Sequence, residues 1–284
     1  MRLLTFNAGL LDLRILGRSV IRPAGYIGER FTKLAPALTV LDADVVTLQE
    51  VYATAHKREL SAALRSHYPF VAESPLRGPS VVPASLLTFS KWPIEEHRFY
   101  RFQDMPIAER LIDNKGFLVA KLRSPSGPMW VANVHTTAGG TKHPEHPQTD
   151  AIRSRQLGQL LEVVKAEEPV VLTGDFNCGS VSRGNYEQLL EAGYSDVWAN
   201  LLPEVSGWTW DPESVLNAGG THTSWGCPAQ RIDLILLNQG AARRWRPVSC
   251  RRAFTELDVA VEGGRAVTLS DHYGVLAEFD SDVA

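Results

Sequence analysis

A set of acidic, amide and imidazole side chains recurs at the ends of short apolar runs. Asn7 closes LLTFN, Glu50 closes VVTLQE and His135 closes WVANVH, while Asp175 and Asn177 close VVLTGDFN. Asp233 lies within RIDLILL, and Asp271 and His272 precede the last run, YGVLAEFD. A buried strand does not gain packing from such residues, because a polar group taken out of water without a partner is costly. Each alone has a bland explanation as a turn residue, a cap or a hydrogen-bonded strand end. Their recurrence in run after run calls for another. Side chains alternate along a strand, so Asp175 and Asn177 are expected on one face, projecting together from its carboxyl end, where sites tend to form. Glu50 and Asp271 are hard oxygen ligands suited to Mg²⁺ or Mn²⁺, and no HExxH motif or cysteine cluster argues for zinc. Two histidines, further carboxylates and two asparagines can hold a phosphate and move protons. Metal-assisted hydrolysis of a phosphoric ester needs this inventory.

The elements that must position these residues are strand-length runs rich in Val, Leu, Ile and Phe, bounded by Gly, Pro, Asn or Asp. Helical periodicity is clearest over 53–67 and 149–168, where Leu157, Leu160, Leu161 and Val164 form one stripe. Residues 28–42 also read as a helix, with Pro36 marking a kink or a late start. No flexible linker, low-complexity tract or fixed-period repeat divides the chain, so residues 1–284 are expected to form one domain, as a monomer. The loops 73–85 and 136–148 are long enough to border a site. In the second, His143 and His146 are either metal ligands or solvent-exposed residues.

Composition bounds the alternatives. The 284 residues carry 29 Lys and Arg against 32 Asp and Glu, a net charge of −3, without the basic excess usual in a nucleic-acid-binding domain. RRWRPVSCRR (243–252) concentrates arginine and reads as a solvated strand edge, with a phosphate-binding patch the alternative. Three cysteines make no disulfide framework, which suits a reducing compartment, and Cys178 reads as a passive small residue. The chain shows neither an export signal nor a membrane-spanning run. A cytoplasmic location is expected, with secretion the alternative if a leader has been removed.

In order along the chain, TFN (5–7), LQE (48–50), NKG (114–116), NVH (133–135), GDFN (174–177), RIDLIL (231–236) and SDHYG (270–274) resemble the motifs of the endonuclease/exonuclease/phosphatase superfamily. That superfamily includes DNase I-like nucleases, inositol polyphosphate 5-phosphatases and neutral sphingomyelinases. The resemblance implies a four-layer α/β sandwich, with two mostly antiparallel sheets face to face, helices outside, and the site at one end of the sheets. It implies that Asp175 orients or deprotonates the attacking water and that Asn177 hydrogen-bonds the phosphate. Glu50 would bind Mg²⁺ directly, with Asn7 beside it and Asp271 completing the surroundings. His272 would contact the phosphate with Asp233 behind it, and His135 would add a second imidazole for transition-state charge or the leaving group.

Within the superfamily, GWTWDPESVLNA (207–218) resembles a segment of neutral sphingomyelinases, and NKGF resembles an element shared by lipid- and inositide-acting branches. Lys115 is accordingly expected to contact phosphate, and Trp208 or Trp210 to line a headgroup pocket. The alternative for TWD is a packed tryptophan and an Asx turn. Secreted bacterial sphingomyelinases carry an exposed apolar hairpin late in the chain, whereas 238–268 offers arginines with only Trp245 and Phe254 as aromatics. LRILGRSVIRPAGYIG (13–28) mixes apolar and basic residues and suits either a lipid contact or an ordinary loop. The expectation is a Mg²⁺-dependent phosphodiesterase acting on a phospholipid headgroup, sphingomyelinase- or phospholipase C-like, and more active on dispersed lipid than on bilayers. A DNA nuclease of the AP-endonuclease or DNase I type is the alternative, an inositol polyphosphate phosphatase a second, and a catalytically dead binding module a third.

Overall fold

Period-two alternation in the apolar runs builds two sheets with distinct inner and outer faces. A computed structural model describes residues 1–76, 80–138, 147–164, 169–179, 182–218 and 226–281; His143 and His146 lie outside them. The first six-stranded sheet runs, in spatial order, β13 (Trp245–Ala253), β16 (Gly274–Ser281), β1 (Arg2–Asn7), β4 (Val45–Gln49), β6 (Leu87–Ser90) and β5 (Phe70–Glu73). The second runs β11 (Ser195–Asp196), β12 (Asp233–Leu237), β10 (Val170–Asp175), β9 (Gly127–His135), β8 (Gly116–Ser124) and β7 (Ile94–Arg101). Only β1 with β4 and β9 with β10 pair in parallel within these two sheets. Two hairpins stand apart, β2 (Leu13–Ile15) with β3 (Arg18–Ile21), and β14 (Val259–Val261) with β15 (Arg265–Val267).

Three apolar clusters define four layers. Leu3, Val45, Val131, Val171, Ile235 and Ala277 meet between the sheets. Leu4, Phe6, Val46 and Leu48 face outward onto Phe31, Leu34 and Leu38 of α1 (Ile27–Leu41) and Leu60 and Leu64 of α2 (Thr54–Leu64). On the far side Phe117, Val134, Leu172 and Leu234 meet Leu157 and Leu160 of α4 (Pro147–Val163) and Leu189 of α5 (Arg183–Glu191). Burial of each such side chain contributes roughly 1.5–3 kcal/mol, so stability resides in these clusters rather than at the sheet ends. Shorter helices among the described residues include α3 (Ile107–Ile112), α6 (Val197–Leu201) and α7 (Gln239–Arg244).

The four-layer sandwich expected from the motifs is therefore present, with shorter helices at both well-patterned segments. Leu157, Leu160 and Val164 enter one apolar cluster and half-buried Leu161 packs against it, as the periodicity suggests. Pro36 sits inside α1, so it neither starts nor ends that helix. Trp245 is 1% exposed. Val259, Val261 and Val267 of the β14–β15 hairpin are turned into the core with α1, while Leu257 in the loop before it is 52% exposed. Among the described residues no helix is long and apolar enough to cross a membrane.

Candidate active site

Along each central strand, residues two apart on the inner face change from apolar to polar toward one end of the sandwich. The series are Leu3, Thr5, Asn7; Val45, Thr47, Gln49; Val131, Asn133, His135; and Val171, Thr173, Asp175. Register then aligns the last residues side by side, His135 opposite Asp175 and Asp175 opposite Asp233. One step below them the sheets are joined by a buried amide pair: Gln49 Nε2 donates to Asn133 Oδ1 at 2.7 Å, and Asn133 Nδ2 donates to Leu48 O at 3.0 Å and Leu87 O at 2.9 Å. Gly174 is required here, because a Cβ would fall 2.0 Å from Val134 O.

Two of the expected residues reach the site by breaking alternation. Glu50 would be directed outward by parity, but its left-handed backbone (φ 60°) ends the strand, and its Oε1 accepts a hydrogen bond from Asn7 Nδ2 at 3.2 Å. The chain likewise leaves β10 at Asp175, so Asn177 does not share a strand face with it as alternation suggested. Asn177 is also left-handed, at φ 48°. Its N–H donates to Asp175 Oδ1 at 2.9 Å, and its Nδ2 donates to Thr136 O at 3.2 Å. Left-handed non-glycine residues are uncommon and are held by their surroundings, often at functional sites.

Contacts across the sheets complete the floor. Asn7 Nδ2 donates to Asp175 Oδ2 at 3.0 Å, and its Oδ1 accepts from Gly9 N at 3.0 Å. His272 Nδ1 lies 2.9 Å from Asp233 Oδ2. His135 Nε2 lies 3.8 Å from Glu50 Oε1 and 3.7 Å from Asp175 Oδ2. Asp175, Asp233 and His272 form a buried group whose ligand atoms lie within 4.8 Å of one another. A cleft of about 310 Å³ opens above, lined by Glu50, Lys115, His135, Asp175, Asn177, Trp210, Asp271 and His272 among others. Asp175 and His272 border it but keep only 2% and 7% of their surface, a deeper placement than an open cleft implies.

Electrostatics assigns distinct states to these groups. Burial, then the neighbouring Asp271, pushes the Glu50 carboxyl up to about 7. Burial, then Asp233, pushes Asp175 up to about 6. Burial alone would lower His272, but Asp233, by charge and by hydrogen bond, and then Asp175 and Asp271 raise it to about 10. His135 is driven the other way: burial, helped by Lys115 and His272, holds it well below its ordinary value. The shift favours the neutral form of this second imidazole, whose Nε2 faces two carboxylates.

The donor set fits a hard divalent cation. Asp271 adds to the cost of ionising Glu50 in a site where burial already opposes charge, and a cation would offset both effects. Gly9, left-handed at φ 57°, leaves room for Asp271, since a Cβ there would lie 2.1 Å from its Oδ1. Asn7 adjoins this pair but turns its amide nitrogen toward Glu50 and Asp175, so it bridges the carboxylates.

Lys115 precedes β8, 7% exposed. Its Nζ donates to Thr136 O at 2.9 Å and stands 3.5 Å from Glu109 Oε1. The TWD segment packs beside the cleft. Trp210 lines the cleft and pairs through its backbone with Gln230 and His272. Thr209 Oγ1 accepts from Ile232 N and Asp233 N, both at 3.1 Å, and Asp211 Oδ1 accepts from Glu213 N at 2.9 Å in an Asx turn. Trp208 is 44% exposed and does not line the cleft. Burial pushes the Cys178 thiol up to about 12, as suits a passive residue.

Arg30 and Tyr52 were not singled out by sequence. Arg30, 1% exposed, donates to Ala8 O at 2.9 Å, Gly9 O at 2.6 Å, Leu269 O at 3.1 Å and Gly25 O at 2.8 Å. It thereby ties the segment after Asn7 to the segment before Asp271. Tyr52 OH donates to Asp113 Oδ2 at 2.8 Å beside the cleft. Arg153 and Gln156 of α4 secure the strand end after His135, through Thr137 O at 3.2 Å and Thr137 N at 2.9 Å.

Residues 4–272 match the model of the Endonuclease/Exonuclease/phosphatase family. A sphingomyelinase C of Listeria ivanovii is 23% identical over 288 residues, covering 89% of this chain and 80% of that protein. Sphingomyelinase C 2 of Leptospira interrogans is 24% identical over 205 residues, covering 66% of this chain but only 32% of its own length. Among solved structures, a Staphylococcus aureus beta toxin with bound magnesium ions superposes with a TM-score of 0.71 at 18% identity, covering 98% of this chain and 99% of that one. A D. rerio TDP2 complexed with single strand DNA product gives 0.73 at 20%, covering 99% of each. The chain belongs to the Endonuclease/Exonuclease/phosphatase family and is a hydrolase of phosphoric esters.

Proposed function

We propose that the protein is a divalent-metal-dependent phosphodiesterase that cuts the headgroup phosphodiester of a phospholipid, separating a phosphorylated headgroup from a lipid alcohol. The observation that carries this reading is the pairing in one cleft of Asp175, pushed up to about 6, with His272, pushed up to about 10. A base poised near neutrality and a group protonated throughout that range suit hydrolysis of an anionic diester. Asp175 accepts the proton of the attacking water as its oxygen bonds to phosphorus. The bond from phosphorus to the lipid oxygen breaks, and that oxygen takes a proton from His272, which Asp233 keeps charged. Lys115 and Asn177 hold the phosphate, while neutral His135 and Asn7 space the carboxylates. Glu50 and Asp271 would hold Mg²⁺ or Mn²⁺, whose charge neutralises the phosphoryl oxygens when bound.

The lipid assignment is supported by Trp210 in the cleft wall, where an aromatic face can take a quaternary ammonium, and by similarity to sphingomyelinases C. The second reading is a nuclease, favoured by the likeness to TDP2 with its DNA product. Product release from sphingomyelin and phosphatidylcholine micelles, compared with DNA at equal enzyme, tests the choice. Phosphocholine release that EDTA abolishes and Mg²⁺ restores is expected. DNA cleavage without phosphocholine release would transfer the protein to the nuclease reading.

A further inference from the structure

One wall of the cleft has an outer side that its chemistry does not use. Leu13 and Ile21 of the β2–β3 hairpin, Val82, and Ile112 at the end of α3 share a small apolar cluster with Tyr52 and Leu11. Backbone bonds reinforce it, with Val81 N donating to Leu111 O at 3.0 Å and Val82 N to Ile112 O at 2.9 Å. The hairpin, the 81–82 segment and α3 therefore form a continuous wall, whose Leu11, Ile21 and Ile112 line the cleft. On the outside, Leu16 is 98% exposed, Ile107 78%, Val81 68%, Leu111 62% and Val20 57%. Single exposed apolar residues need no explanation, whereas a cluster beside a site does. Leu16, at φ 50°, and Gly17, at φ 78°, form the hairpin turn, where Asn or Asp is usual. The turn places its one bulky apolar side chain outermost.

Charge points the same way. Arg14, Arg18 and Arg22 are exposed on and beside the hairpin, and Arg110 is exposed on α3. Of the neighbouring carboxylates, Asp12 is engaged by Arg14 at 2.6 Å and by Ser19, and Glu109 is held inward by Thr137 Oγ1 at 2.8 Å and Ala138 N at 3.2 Å, while Glu29 and Glu262 share a groove with Arg14 and Arg22. A basic, apolar patch thus borders the cleft of a chain whose net charge is −3. Apolar side chains that enter the headgroup boundary, combined with arginines facing anionic lipid, characterise interfacial anchors. A nucleic-acid backbone would use the arginines but leave Leu16, Ile107 and Leu111 in water.

We propose that this wall docks the protein on the surface of a phospholipid layer containing anionic lipids. Leu16, Ile107 and Leu111 enter the headgroup boundary, Arg18, Arg22 and Arg110 meet anionic headgroups, and the cleft mouth is brought to the layer. This rests on the phospholipid reading and extends it, because it names a second lipid class that is bound without being cut.

Sedimentation with phosphatidylcholine vesicles, with and without phosphatidylserine, tests it. The wild type should pellet with the anionic vesicles and be released by salt. Leu16→Ser combined with Ile107→Ser and Leu111→Ser should lower the partition coefficient at least tenfold. Arg18→Ala with Arg22→Ala should lower it roughly 25-fold, at about fivefold per arginine near an anionic surface. Thermal unfolding and hydrolysis of a soluble short-chain phosphodiester should be unchanged in both variants. A wild type that ignores vesicles, binding unaffected by these substitutions, or arginines that retain duplex DNA while vesicles are ignored would each overturn the proposal. Vesicle binding without phospholipid hydrolysis would keep the docking surface and remove the substrate reading. Hydrolysis of dispersed phospholipid without vesicle binding would do the reverse.

Discussion

The floor of the cleft and its wall adjoin, since Ile21 and Ile112 line the cleft and pack in the wall's apolar cluster, yet the floor and the outer side of the wall are built on opposite terms. At the floor, nearly enclosed polar groups hold one another: Asn7 spans Glu50 and Asp175, and Asp233 holds His272. At the wall, apolar groups face water, with Leu16 98% exposed. The floor stands on strand ends whose register fixes position to a fraction of a residue. The wall stands on a hairpin and a six-residue helix that can change without disturbing the sheets. Chemistry and presentation of substrate are therefore separable in this molecule, and substitutions should separate them.

The largest effect should come from the floor. His272→Ala is expected to lower kcat by on the order of 10³-fold or more, because it removes both a proton donor and a positive charge beside the phosphate. Asp175→Ala should be comparable, and steady-state kinetics on micellar substrate checks both. Retention of more than about a tenth of the activity would remove the role assigned to the residue.

A smaller effect, on the shape of the pH profile, should follow Asp233→Asn. In the wild type the rate should rise as Asp175 ionises near pH 6 and stay high until His272 loses its proton near pH 10. Without the Asp233 charge, burial dominates His272, and the alkaline limb should move down toward neutrality. An unmoved alkaline limb would show that another group sets it.

Smaller still, and opposite in sign for stability, is Glu50→Gln. The folded-state value of Glu50 lies above its unfolded one, at about 7, so its contribution to stability is present at low pH and lost as pH rises from about 4 through 7. In chelator near pH 8, Glu50→Gln should be more stable than wild type by roughly 1–2 kcal/mol, although it is inactive. Added Mg²⁺ should stabilise the wild type and leave the variant largely unaffected. Thermal unfolding with and without the ion measures this. The least effect is expected at the wall, where Leu16→Ser should leave hydrolysis of a soluble substrate within experimental scatter.

The same division explains what could be read from the sequence. Asn7, Glu50, His135, Asp175, Asp233 and His272 stood out because each interrupts or closes an apolar run, and the sandwich brings all of them to one end. The αL turns at Glu50 and Asn177 could not be read, because nothing in either residue type demands φ near +50°. Arg30 looks like one more arginine on an amphipathic helix, and only the fold shows its four carbonyl partners. Gln49 and Asn133 lay inside the motifs, yet their pairing joins residues 84 apart in sequence. Short motifs mark where chemistry can occur, while the groups that hold it in place are dispersed along the chain.

The polar contacts at the floor run between sheets. Asn7 belongs to one sheet and Asp175 to the other, His272 reaches Asp233 of the second sheet from the segment just before β16 of the first, and Gln49 and Asn133 peg the two sheets together below them. Each catalytic partnership is thus a measurement of the gap between two slabs. A change of one methylene at Leu118 or Val171, far from any substrate, alters that gap before it unfolds anything. Turnover in this molecule works as a calliper on its own core, and it will record a misfit there earlier than melting does.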